Sequence, residues 1–254
     1  MSATETNTPA SVNWKEVIVY YIIAVAVSAP FRLGWVDLSE SVPLPMGFTL
    51  LYRVLGALGP AVGYFVLIYV MKTDIPRNVS LFGTSRVYSV IGLAIIPLVL
   101  AVVGRDDASG LNTHWNGFLI GITFAIYAVG EELGWRGYLQ QALAPIPLPL
   151  RVLIIAVLWY LWHLNFLNPM STIQSQLIHF ASLFVGSGAL LTITGRTHSI
   201  LIAAAVHLSF NIIGELGGEM NERLIVLAVA ISVWAFVIRR MANLPFVPKS
   251  ASAG

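Results

Sequence analysis

The sequence predicts an all-α polytopic membrane protein, a bundle of about eight transmembrane helices enclosing a polar cavity. Three observations predict it. The 254 residues are 57% hydrophobic and only 10% charged, whereas a soluble domain carries roughly 25% charged residues. The apolar residues fall into eight runs of helical length, separated by short polar or proline-rich breaks. The few ionisable residues within those runs gather in three places, and ionisable groups at membrane depth are costly and usually functional.

The runs follow in order. The first covers about residues 15–30, and a polar linker with Asp37, Glu40, Pro43 and Pro45 follows it. The second covers about 47–71 and contains Gly59-Pro60, a kink signal. A basic loop at 72–86 leads to the third run, about 87–103, with Pro97 inside it. After a polar loop at 105–116, the fourth run starts near Gly117 and ends in Glu131-Glu132. Pro145, Pro147 and Pro149 break the chain there. The fifth run, about 150–167, carries His163 and stops at Asn168-Pro169. The sixth, about 171–193, carries His179, and the turn 195–198 leads to the seventh, about 199–216, with His207 and Asn211. The eighth covers about 222–239. This gives a polar N-terminal tail over 1–14, one helical membrane domain over 15–240 and a C-terminal tail over 241–254.

Loop charge orients the layout. With both termini on one side, only Arg32, Arg53, Arg105 and Arg223 fall on the other, and the remaining lysines and arginines share the side of the termini. The positive-inside rule then predicts cytosolic termini. The protein is expected in the cell membrane, with the N-terminal tail cytosolic rather than a signal peptide. The same layout puts Glu131 near the cytosolic end of the fourth segment. Net charge +2 with no basic cluster beyond Arg239-Arg240 argues against a nucleic-acid partner. The chain has no cysteine, which excludes disulfides, thiolate zinc sites and a cysteine nucleophile.

The chemistry lies in three constellations. Glu131-Glu132-x-x-x-Arg136 places Glu132 and Arg136 four residues apart on one helix face. Glu131 is rotated about 100° from its neighbour and lacks that partner. One carboxylate can be held as an ion pair while the other is free to work. Trp159-x-x-x-His163 puts an aromatic ring one turn before a histidine, and His207-x-x-x-Asn211 points two polar groups the same way. These residues lie on three segments and can converge only in a bundle interior. A buried carboxylate can take a proton from water with help from histidine. A second histidine with an amide can stabilise an oxyanion. No Gly-x-Ser-x-Gly elbow is present, since Gly186-Ser187-Gly188 lacks the intervening residues, and no His-Glu-x-x-His zinc motif occurs. Glu131, His163 and His207 nonetheless form an imaginable zinc ligand set. His179 is expected to stand apart as a packing residue.

Together the three motifs, in this order, resemble those of the CAAX-processing and bacteriocin-processing intramembrane proteases, also called the ABI family or CPBP glutamic proteases. The resemblance covers roughly residues 117–217. It implies an eight-helix bundle with a cavity open to the cytosol, in which Glu131 activates water with His163. It further implies an oxyanion hole of His207 and Asn211, braced by Glu132 and Arg136. Where the family usually has phenylalanine, this chain has Trp159. The expected activity is therefore endoproteolysis of a membrane-embedded or lipidated peptide, without metal or other cofactor. A zinc protease using the same residues, a peptide-binding or immunity protein, and a transporter are the competing readings. A transporter fits least, because charged residues do not line several segments as a relay.

Overall fold

The computed structural model describes residues 11–36, 51–106, 110–215 and 220–247, with backbone alone for 51–53, 210–215 and 220–222. The expected linker residues Asp37, Glu40, Pro43 and Pro45 lie outside it. Eight helical passes are present and no strand occurs among the described residues. Helix α1 spans Trp14–Arg32, with the Asn13 side chain accepting from the Glu16 N–H at its start. Helix α2 spans Leu51–Phe65 through Pro60 and widens into a π turn over Val66–Val70. Helix α3, Arg86–Val103, is capped by Ser85 and stopped by Gly104 at φ 80°, a left-handed position that glycine adopts freely. Helix α4, Thr113–Glu132, is capped by Asn112. Helix α5, Leu148–His163, has proline in its first turn and ends at Leu164 in the left-handed region. Helix α6, Ile173–Thr197, opens on a Thr172–Ser175 capping box. Helices α7, Ile200–Glu215, and α8, Met220–Ala242, complete the bundle.

Helix α4 differs from expectation. It does not stop at the glutamates but runs on through a π segment, Leu133–Leu139, into Gln140–Ala142. The continuous pass Thr113–Ala142 has 30 residues, so Glu131 stands inside it rather than at its end. Gly134 explains how the widened segment packs. A Cβ there would come within 2.6 Å of the Pro60 carbonyl oxygen and collide with Tyr20, so only glycine admits α1 and α2 this closely.

Two apolar clusters hold the passes together. One gathers Tyr20, Trp135, Tyr138, Trp159 and Trp162 around α1, α4 and α5. The other joins Leu100, Ile120, Phe124, Ala204 and Trp234 from α3, α4, α7 and α8. The start of α7 is fastened to the loop before α3. Ser80 N–H donates to the His198 carbonyl at 2.9 Å, and Ile200 N–H donates to the Ser80 carbonyl at 3.0 Å. That clamp fixes the rise of His207 into the bundle. The outward faces carry Ile22, Val87, Val102, Leu177, Val185 and Ile231, all exposed. Five helices are long and apolar enough to cross a membrane. A continuous apolar exterior on such helices is solvated by lipid; the protein is an integral membrane protein.

Candidate active site

The two glutamates are partnered in opposite ways. Glu132 is fully buried and pairs with Arg136, Oε2 to Nε 3.1 Å, as the four-residue spacing predicts. Its other oxygen, Oε1, stands 2.9 Å from Nδ1 of His207. Glu131, 1% exposed, accepts from the Trp159 indole N–H at Oε2, 2.8 Å. Its Oε1 lies 3.7 Å from Nη2 of Arg32 and makes no hydrogen bond among the described residues. The π segment begins at Leu133, directly after this pair, a widening often found at functional sites.

Trp159 stands at the centre. Besides the bond to Glu131, its ring lies 5.1 Å from the His207 ring at an interplanar angle of 81°, and Arg136 sits over its face at 4.8 Å. Its carbonyl lies 2.7 Å from Nδ1 of His163. A carbonyl only accepts, so Nδ1 of His163 carries the proton and Nε2 presents a basic lone pair. The sequence offered Trp159 only as a ring. Its N–H holds the carboxylate of α4, its carbonyl meets His163 and its ring meets His207.

The structure therefore brings Glu131, Glu132, Arg136, His163 and His207 into one cluster. Helix α7 continues through Asn211, whose side chain lies outside the described residues. Glu131 stands inside the 30-residue pass Thr113–Ala142 and not at its boundary, where the sequence put it.

Three further expectations change. Arg32, read only as a loop charge, is the last residue of α1 and reaches into the cluster. Its Nη2 donates to the Tyr127 hydroxyl at 2.9 Å, and its guanidinium lies 3.5 Å from the centre of the Trp162 ring. His179 does not stand apart. Its ring meets that of His163 edge-on at 4.7 Å, because α5 and α6 form an antiparallel hairpin that returns it to the level of His163. The imagined zinc ligand set is not assembled. Among the described residues no group of three or more histidines and carboxylates could hold a metal ion.

A cavity of about 440 Å³ opens beside the cluster between α5 and α6, lined by Tyr160, Phe166, Gln176 and Phe180. The Tyr160 ring is 5.7 Å from His179.

This geometry coincides with a family assignment. The segment 113–213 matches the family model described as type II CAAX prenyl endopeptidase Rce1-like. The match bears out the resemblance carried by the three motifs. It spans all of Glu131, Glu132, Arg136, Trp159, His163, His207 and Asn211, and leaves Arg32 outside. The matched segment is 101 of the 254 residues, less than half of the chain. No curated protein and no solved structure matches the chain.

Proposed function

We propose that the protein is an intramembrane endopeptidase in which Glu131 activates water against a peptide bond of a membrane-attached, lipidated peptide. The observation that carries this reading is the unequal partnering of the two glutamates. Glu132 is closed between Arg136 at 3.1 Å and His207 at 2.9 Å, whereas Oε1 of Glu131 stands 3.7 Å from the Arg32 guanidinium, outside hydrogen-bond reach. A general base needs a lone pair on an oriented carboxylate that no close partner already holds, and Oε1 of Glu131 is such an oxygen, buried where the substrate water would meet it.

The steps balance as follows. Water gives a proton to Glu131 Oε1 as its oxygen bonds to the scissile carbonyl carbon, and the carbonyl oxygen becomes an oxyanion. His163, with Nε2 unprotonated, accepts a hydrogen bond from the same water and aligns it. His207, oriented at Nδ1 by the Glu132 carboxylate, faces the oxyanion together with the Asn211 amide one turn further along α7. Collapse of the intermediate breaks the carbon–nitrogen bond, and Glu131 returns its proton to the leaving amine. The products are a carboxylate and a shortened amine peptide. No metal or cofactor enters any step, and no nucleic-acid partner is implied.

The family description points to a prenylated CAAX-type peptide, a C-terminal motif whose cysteine carries the lipid. We assign the protein to the cell membrane, with both termini cytosolic as the loop charges indicate. The test is cleavage of a quenched-fluorescent prenylated CAAX peptide by the full chain in proteoliposomes. Wild type should cleave it and Glu131→Gln should not, with both proteins folded. Binding of intact peptide without cleavage would favour a binding or immunity protein, and equal turnover by the two would remove Glu131 from the chemistry.

A further inference from the structure

We infer that Arg32 on α1, outside the matched segment, is a positioning residue for Glu131, fixing the carboxylate so that Oε1 is the oxygen that takes the proton from water. This inference rests on the hydrolytic reading above.

Four observations lead to it. The Arg32 side chain is only 12% exposed, although it ends a membrane helix. An arginine that merely anchored the helix end would extend its charge to the headgroups; this one is turned inward. Its guanidinium is fixed on two sides, by the Trp162 face at 3.5 Å and the Tyr127 hydroxyl at 2.9 Å. Stacking on an aromatic face with in-plane donors is a geometry that a planar guanidinium provides and an ammonium does not. Third, the guanidinium approaches Oε1, the Glu131 oxygen that Trp159 leaves free, at 3.7 Å. That is too long for a hydrogen bond and short enough for a strong charge interaction in a buried site. Fourth, Nε of Arg32 is itself buried without a hydrogen-bond partner, so the group retains donor capacity beside the base oxygen.

The two oxygens of Glu131 therefore differ in role. Oε2 is pinned by the indole, and Oε1 is held in the field of a cation that opposes its rotation. A water at Oε1 can donate one hydrogen to the carboxylate and accept from the guanidinium, which leaves a lone pair for the carbonyl carbon. The working site is thus completed by α1, from a part of the chain about 100 residues distant in sequence.

The experiment uses the full chain in proteoliposomes and the prenylated CAAX peptide, with rates normalised to folded, monodisperse protein. Arg32→Gln should lower kcat about 10–100-fold and leave KM within about threefold. Arg32→Lys, which keeps the charge but not the stacked plane, should give a kcat clearly above that of Arg32→Gln and below that of wild type. A wild-type kcat in Arg32→Gln, or an Arg32→Lys variant no better than Arg32→Gln, overturns the proposal. Thermal melts of wild type, Arg32→Gln, Glu131→Gln and the double variant supply an arm that needs no activity. The double variant should lose less than the sum of the single losses, and strict additivity overturns the pairing. A wild type that leaves the peptide intact would count against the hydrolytic reading alone, because the melts still decide whether Arg32 and Glu131 act together.

Discussion

Replacing Glu132 by glutamine tests the division of labour between the adjacent carboxylates. Glu132 and Arg136 are both fully buried, 3.1 Å apart, and the second carboxylate oxygen holds His207 at 2.9 Å. Nη1 and Nη2 of Arg136 have no hydrogen-bond partner, so its compensation comes from this carboxylate and from the Trp159 face. Glutamine keeps the shape and removes the charge. Breaking a buried pair from one side costs about 3–5 kcal/mol, because the remaining ion stays buried. For a chain of this size each kcal/mol is worth roughly 2–4 °C, so the expected loss is about 6–20 °C. Glu131→Gln should cost less, since its amide oxygen can still accept from the Trp159 indole and its cation is only 3.7 Å away. The assay is a thermal melt of the purified proteins in one detergent, followed by tryptophan fluorescence. An unchanged melting temperature in Glu132→Gln, or a larger loss in Glu131→Gln, would refute the assignment of Glu132 as the structural member.

Four other outcomes follow from the same geometry. Trp159→Phe keeps the ring and deletes the donor to Glu131; a hydrogen bond to a charged group is worth about 1.5–3 kcal/mol, so kcat should fall roughly 10–100-fold on the prenylated peptide. His163→Ala should lower kcat about 100-fold or more by removing the basic Nε2, whereas His179→Ala, edge-on to that ring, should stay within about tenfold of wild type in the same kinetic assay. Gly134→Ala drives a Cβ to 2.6 Å from the Pro60 oxygen and should abolish folded protein in size-exclusion profiles, while Gly195→Ala, with nothing within 4 Å, should be neutral. Exhaustive chelation should leave turnover unchanged, and a loss reversed by added zinc would restore the metal reading.

The helical passes were legible because each is an apolar run bounded by polar or proline-rich breaks, as at 105–116, Pro145 to Pro149 and Asn168-Pro169. The Glu132–Arg136 pair was legible because helical spacing alone brings the two together. Arg32 was not. Pro30 reads as a stop, yet α1 continues through it to Arg32, and transmembrane helices tolerate proline where neighbours satisfy the freed backbone groups. No local pattern then links that arginine to Glu131, since their proximity depends on α1 packing against the π segment. The run-on of α4 was hidden by Gly134 and Gly137, which weaken a helical pattern while tertiary packing sustains it. The place of His179 could have been read, because the short break after α5 makes α6 its antiparallel neighbour and returns His179 to the level of His163. The indole bond of Trp159 could not, because it depends on the orientation of one side chain across two helices.

The central claim is that Glu131 activates water and does not itself attack the peptide. A single-turnover reaction in heavy-oxygen water, with excess protein over prenylated CAAX peptide, tests this directly by mass spectrometry of the product and of the Glu131-containing fragment. Direct water attack predicts one heavy oxygen in the new product carboxylate and none in Glu131. Heavy oxygen in the Glu131 carboxylate would show an acyl-enzyme anhydride and contradict the account.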